Sequence, residues 1–201
     1  DIAAESGVHH LVYSSTDAIG DRPTGMGHFD SKVRIEKHVS SLPVRSTIIR
    51  PAAFMEMLLM PGFGLDQRRF NFFMYPEQSM QLLALEDLGQ IVAAVFADPA
   101  RFGGTTFAVA SDNVTGRDIE KVFSDMAGQK ISYSRFHDDV LASNAFLAKL
   151  TELLDNGILA GSANLAQLRK INPQLRTFQD WLAESGRVAF LEALCTSAKW
   201  D

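Results

Sequence analysis

Helix-forming and strand-forming segments alternate along the first part of the chain, and that order restricts the fold more than any single residue does. Ile2-Ala3-Ala4-Glu5-Ser6-Gly7 joins strong helix formers to a glycine suited to a C-terminal cap. His10-Leu11-Val12-Tyr13-Ser14-Ser15 is short, β-rich and apolar until its polar end. Such a segment reads as a strand buried on both faces of a parallel sheet, opening into a loop. Residues 17–27 combine glycines with a proline and fit no regular element. From Phe29, apolar Val33, Ile35 and Val39 are interleaved with Lys32, Arg34, Glu36 and Lys37, a helix signal that ends near Leu42-Pro43. Residues 44–50 read as a second strand stopped by Pro51, and residues 53–60 as a short helix. Helix, strand, loop, helix, strand, helix is the order of an α/β sheet with crossover helices.

The rest of the chain is a mixed, mainly helical lobe built onto the same sheet. Residues 63–76 are irregular, aromatic and basic, with Phe63, Phe70, Phe72, Phe73, Tyr75, Arg68 and Arg69. Three readings stand open for them: a cover over a pocket, a subunit-contact patch, and ordinary packing. Strands are expected at 80–85, 105–110 and 131–136, and a helix opening on Glu86-Asp87 and running to Asp98-Pro99. Acidic residues there, and Asp138-Asp139 later, read as caps or partners of the helix dipole. Thr115 and Asp118 form an acidic variant of the capping box on a helix ended by Gly128. Helices are expected over 139–156, 163–170 and 177–195, the last interrupted by Gly186.

Hydrophobic residues at 46% and charged residues at 21% describe an ordinary soluble globular chain. A net charge of −5 argues against a sequence-independent grip on nucleic-acid phosphates, so no direct nucleic-acid partner is expected. A single cysteine, Cys195, excludes an internal disulfide and a multi-cysteine metal cage, and suits a cytoplasmic setting. Its helix, rich in Leu, Phe and Ala, predicts a buried thiol. His9 and His10 are adjacent on a strand and point to opposite faces, so they form no joint metal site, and no metal is expected. No run of apolar residues is long enough for a membrane span. Asp1 is no initiator, residues 1–7 read as the end of a helix already under way, and nothing there resembles a signal peptide.

Chemistry concentrates at Ser15, His28 and Lys32. Ser15 stands at the carboxyl end of a buried strand, where open α/β sheets place their ligands. His28 follows after thirteen residues, and Lys32 after four more, one turn along a helix. A hydroxyl, an imidazole and a cation would thus meet at one mouth of the sheet, able to hold a carbonyl, move a proton and bind ribose hydroxyls. The alternative is a surface Ser, His and Lys on a loop and an amphipathic helix.

Three stretches, H-L-V-Y-S-S, H-F-D-S-K-x-x-I-E and I-I-R-P-A-A-F-M-E, resemble the NmrA-like family, atypical relatives of the short-chain dehydrogenases/reductases. The likeness continues through L-E-D-L-G-Q-I-V-A-A-V-F-A-D-P, A-S-D-N-V-T-G-R-D-I and L-R-x-I-N-P-Q-L-R-T-F-Q-D-W-L, in order along almost the whole chain. The resemblance implies a Rossmann-like, doubly wound parallel sheet, of which residues 1–80 are the carboxyl-terminal part and residues 81–201 the smaller substrate or partner lobe. Short-chain dehydrogenases place a tyrosine between their Ser and Lys at this spacing; here the position is His28, as is usual in NmrA-like proteins, many of which bind NADP without efficient dehydrogenase activity. The family's G-x-x-G-x-x-G phosphate loop has no counterpart, and the cluster Gly20 to Gly27 follows the wrong strand. Binding of NADP (or NAD) is therefore expected only together with an amino-terminal half.

By the same resemblance Ser14, Ser15, Lys32, Pro51, Ala52, Ala53 and Phe54 would hold the nicotinamide side, Lys32 on the ribose and Phe54 against the ring. From the residues alone, Pro51 merely stops a strand and Phe54 anchors the next element. Ser15, His28 and Lys32 would be the catalytic set, with His28 passive or a weak proton donor. Where the family usually has asparagine after M-E, Met57 stands. Two functions are implied: a redox-sensing regulator with a protein partner, or a reductase of small apolar, quinone-like or carbonyl substrates. A homo-oligomer fits either.

Overall fold

The computed structural model describes residues 2–18 and 23–195, so Gly20 of the glycine cluster lies outside the described residues. The elements in order are α1 (Ile2–Glu5), β1 (Leu11–Ser14), α2 (Gly27–Ser41), β2 (Ser46–Pro51) and β3 (Ala53–Phe54). After two 3-10 turns, Met55–Leu59 and Leu65–Gln67, come β4 (Arg69–Phe72), β5 (Ser79–Leu83), α3 (Leu85–Ala97) and α4 (Pro99–Phe102). The chain continues through β6 (Thr106–Val109), β7 (Asp112–Thr115), α5 (Gly116–Ala127), β8 (Ser132–Arg135), α6 (Asp138–Ser143) and α7 (Ala145–Asp155). It closes with α8 (Leu165–Ile171), α9 (Phe178–Ala183) and α10 (Arg187–Cys195).

The expected α/β alternation is present. β1, β2 and β6 form a parallel sheet in the order β1-β2-β6, with Val12 opposite Thr47 and Ile48 opposite Thr106. Parallel neighbours need crossovers, supplied by α2 between β1 and β2 and by the long excursion through α3 before β6. β3 pairs parallel with β5, and β5 pairs antiparallel with β7. β4 and β8 form a separate parallel pair. One apolar cluster (Ile49, Leu83, Ile91, Val95, Val109, Leu168) lies between the first sheet and α3 and α8. A larger one gathers under β4, β5, α5, α9 and α10 around Phe70, Phe123, Phe178, Trp181 and Phe190.

Several expectations change. The aromatic stretch 63–76 is no cover: it contains β4, whose alternation turns Phe70 and Phe72 inward, and Phe73 and Met74 are buried as well. The flanking Pro and Gly residues conceal this four-residue strand in the sequence, and ordinary packing is the reading that holds. Residues 53–60 form a two-residue strand and a 3-10 turn in place of a helix, because Ala53 and Phe54 pair with Leu82 and Leu83. The single helix over 139–156 divides at Asn144, whose side chain accepts from the Leu147 N–H and starts α7. β7 was not expected, since D-N-V-T has little strand propensity; its pairing with β5 supplies the order. His9 and His10 precede β1 instead of lying on it, and His10 Nε2 meets Thr47 Oγ1 at 2.8 Å. Cys195 is exposed, not buried. Phe190 is the residue α10 turns inward, and five residues further a helix has rotated about 140° away.

The capping box at α5 forms as expected: Thr115 Oγ1 accepts from the Asp118 N–H, and the Asp118 carboxylate accepts from the Thr115 N–H. Gly116, the first residue of this helix, is held in close quarters. A Cβ there would lie 2.7 Å from the Tyr133 ring and 2.8 Å from Pro76 Cα. Gly116→Ala is therefore expected to destabilise the fold by about 1–3 kcal/mol, read as a lower urea midpoint at unchanged slope.

Candidate functional site

Ser15 continues the ladder beyond β1, its N–H donating to the Ile49 carbonyl at 2.7 Å. Its side chain is 4% exposed, and its Oγ has no hydrogen-bond partner among the described residues. A buried hydroxyl without a partner is uncommon and calls for an explanation. Beside it, Lys32 Nζ donates to the Ser14 carbonyl at 3.0 Å and sits 5.6 Å from the centroid of the Tyr13 ring. The helix brings Lys32 there because Glu36, one turn on, is buried and takes a two-pronged bond from Arg50 of β2, at 3.0 and 2.6 Å. That clamp fixes α2 against β2, and its hydrogen bonds above all, with the charge of Glu36 behind them, raise the Arg50 guanidinium above its ordinary value against the opposing effect of burial. Burial, reinforced by the Glu36 charge, pushes the Tyr13 phenol above its ordinary value, so Tyr13 is no ready proton acceptor.

His28 lies in the first turn of α2 and is exposed. Its ring centroid is 4.0 Å from that of Phe29 and 5.7 Å from that of Phe146 in α7. Lys32 is thus held on the Ser14 carbonyl, next to Ser15 in the chain, whereas the ring contacts of the His28 imidazole are with Phe29 and Phe146. Pro51 ends β2 buried, the Ala52 N–H donates to the Val109 carbonyl, and Ala53 is exposed. Phe54 is half-buried and packs against the cluster around Ile49 and Leu83.

Other residues at this mouth carried little signal in the sequence. Asp17 donates its N–H to the Pro51 carbonyl, and its carboxylate accepts from the N–H and Oγ of Ser162 at 2.6 and 2.7 Å. Gln81 holds the next residue, donating to the Ala163 carbonyl and accepting from its N–H. The segment before α8 is thereby strapped across the carboxyl ends of β1 and β2.

The entry to α2 has its own device. Met26 offers no side-chain cap, so Asp30 reaches back to the Thr24 N–H at 2.7 Å, the Thr24 hydroxyl at 2.9 Å and the Gly25 N–H at 3.1 Å. The Thr24 N–H above all, with the other two donors and the Arg34 charge, holds this carboxyl below its ordinary value against a smaller opposing effect of burial. A carboxyl lowered in the folded state contributes stability above its unfolded value of about 3.9, and that contribution vanishes as pH falls through the folded value. Asp30→Asn is expected to be less stable than wild type at neutral pH and to converge with it in acid, as followed by urea midpoints between about pH 6 and 2.

Glu86 and Asp87 do open α3, but Asp87 is not a cap. It is fully buried and accepts four hydrogen bonds: from Ser111 Oγ (2.7 Å), Asn172 Nδ2 (3.1 Å), and the N–H and guanidinium of Arg176 (each 3.0 Å). It ties α3, the start of β7 and the segment after α8 into one unit.

Parallel strands with crossover helices, and a polar mouth at the carboxyl ends of β1 and β2, define an α/β protein of Rossmann-like architecture. The profile of the NmrA-like family matches residues 1–169, and the chain belongs to that family. It is 26% identical to an NmrA-like family domain-containing protein of Dictyostelium discoideum, across 90% of this chain and 66% of that protein. It is 29% identical to the NmrA-like family domain-containing oxidoreductase lnaB of Aspergillus flavus, across 87% of this chain and 57% of that one. The chain therefore spans less than two thirds of the length of these curated relatives. Among solved structures, an NADPH-dependent quinone oxidoreductase of Escherichia coli superposes with a TM-score of 0.73 at 18% identity, covering 92% of this chain and 70% of that one. NmrA, a negative transcriptional regulator in complex with NAD, superposes with a TM-score of 0.68 at 16% identity, covering 93% and 67%. Among the described residues no helix is long and apolar enough to cross a membrane.

Proposed function

We infer that this chain belongs to a protein that holds NADP or NAD at the mouth of β1 and β2. In this reading it acts as a redox-sensing regulator with little or no dehydrogenase activity. The observation that carries the reading is the buried, unpartnered Ser15 hydroxyl beside the Lys32–Ser14 contact. A polar ligand at the mouth would supply the partner that Ser15 lacks. Lys32 would donate to ribose hydroxyls, and Ser14, Ser15 and the segment Pro51 to Phe54 would line the nicotinamide side. When bound, the dinucleotide supplies hydride chemistry; the grip on its phosphates would come from a glycine loop that this sequence does not contain.

The regulator reading rests on His28, which stands where a dehydrogenase has its tyrosine and whose imidazole packs beside the rings of Phe29 and Phe146. The reductase reading draws on Phe146, more than half exposed beside His28, a flat apolar surface suited to a quinone-like substrate. The relative named an oxidoreductase supports it as well.

The test uses the full-length protein with NADPH and a panel of quinones and aldehydes, followed at the nicotinamide absorbance band. Binding without turnover supports the regulator, and turnover selects the reductase. Failure to bind NADP(H) sinks both. Lys32→Ala is expected to weaken NADPH binding about tenfold, the loss of one hydrogen bond from a charged donor.

A further inference from the structure

A second concave site is lined by none of the residues assigned to the dinucleotide. It is a cavity of about 420 Å³, within the range of small-molecule pockets, formed where the 3-10 turn after β3, the first turn of α3 and the junction of α9 and α10 meet. Leu59, Leu85, Trp181 and Ala189 supply apolar walls, and Glu56 and Glu86 supply the charge. Gly186 completes the wall because it leaves room beside the indole: a Cβ there would come 3.0–3.1 Å from three atoms of the Trp181 ring system.

The bonding of Glu56 is only half satisfied. Glu56 Oε1 accepts from the Leu85 N–H at 3.1 Å, which anchors the carboxylate on the first N–H of α3. Its Oε2 is buried and has no donor among the described residues. A carboxylate oxygen taken from water without a donor is unfavourable, and a bound donor would relieve it. Glu56 itself lines the cavity, so a bound donor can approach its carboxylate while the Leu85 N–H keeps the other oxygen. Among the described residues no Lys, Arg or His lines the cavity, so the charged groups of its walls are the two glutamate carboxylates. Anions are excluded by that sign, and a fully apolar ligand would leave the oxygen unsatisfied.

We propose that this cavity binds a small organic amine, a primary or secondary ammonium group on a compact apolar body, with the ammonium donating to Glu56 and the body against Leu59, Leu85 and Trp181. The site does not depend on the dinucleotide reading, and ligand binding here is separable from it.

Trp181 is the natural reporter. The sequence has one other tryptophan, Trp200, so Trp200→Phe in the full-length protein removes the other tryptophan of this segment. Cyclohexylmethylamine hydrochloride, which does not absorb near indole, is titrated at neutral pH against its neutral analogue cyclohexylmethanol and the anion cyclohexanecarboxylate, with isothermal calorimetry in parallel. The ammonium is expected to give a saturable change in emission and heat, and the alcohol and the carboxylate at least tenfold weaker binding. Glu56→Gln is expected to weaken the ammonium at least tenfold while leaving the alcohol unchanged. Ala189→Leu, which fills the cavity without touching the carboxylate, is expected to weaken both ligands. NADPH binding, whatever its strength, is expected to be the same with and without the amine-site substitutions. Absence of saturable ammonium binding overturns the proposal, as does equal binding of the three probes, or undiminished binding by a folded Glu56→Gln protein, its fold checked by circular dichroism.

Discussion

Asp87→Ala is expected to cost about 3–5 kcal/mol of stability. The carboxylate is fully buried and satisfies four donors from Ser111, Asn172 and Arg176. Removing it leaves those donors facing a cavity, and a buried donor left without its acceptor costs about 1–3 kcal/mol on its own. The losses do not sum fully, because the Arg176 side chain is 27% exposed and can recover water. Asp87→Asn keeps the shape and one acceptor but turns an N–H₂ group toward donors, so its loss is expected to fall between wild type and alanine. Urea denaturation of the three proteins in parallel decides the matter. An alanine variant within about 0.5 kcal/mol of wild type, the range of surface substitutions, would refute the role of Asp87 as the tie between α3 and the segment after α8.

Phe70→Ala is the companion result, expected to cost about 3–5 kcal/mol as a large-to-small change in a packed core. Phe70 is fully buried, with ring centroids of Phe63, Phe72, Phe123 and Tyr133 at 5.4, 5.5, 5.1 and 5.9 Å. The measurement is again the urea midpoint, set beside NADPH binding. A residue of a mobile cover would show the reverse pattern, a midpoint near wild type with altered ligand kinetics. Phe70→Leu, which keeps most of the volume, is expected to restore much of the loss.

The sheet that places the mouth was legible through its central strand, since β2 is buried from Thr47 to Ile49. β1, expected to be buried on both faces, is half-buried at Leu11, Val12 and Tyr13 and exposed at Ser14, because it lies at the edge of the described sheet. L-V-Y and I-I are short β-rich apolar cores between turn signals, and Val39 of the intervening helix is buried as its pattern predicts. Ile35, read on the same apolar face, is exposed, and Glu36, read as polar surface, is buried by its pairing with Arg50. Caps were equally legible, since Thr115 and Asp118 act within a single turn and need no distant partner. What escaped the sequence depends on residues far apart in the chain. β4 and β7 are four residues each, and they are strands because β8 and β5 lie beside them. Asp87 looked like a dipole partner because its four donors come from Ser111, Asn172 and Arg176, well downstream. At the mouth, Ser15 and Lys32 could be read from spacing and resemblance. Asp17 and Ser162, which meet across most of the chain, could not.

The order β1-β2-β6 also bears on how the protein comes to be made. β2 lies between β1, which precedes it closely, and β6, which follows only after the whole stretch from β3 to α4. During synthesis one flank of β2 can close early, while the other waits for residues 53–105 to emerge and begin their own folding. β4 waits in the same way for β8. Such late pairings make folding slow relative to a helical protein of equal size, because chain entropy is lost before the contacts that offset it exist. For as long as β6 is missing, the apolar flank of β2 at Ile48 and Ile49 is open to other chains, and nascent copies are most prone to stick to one another in that interval.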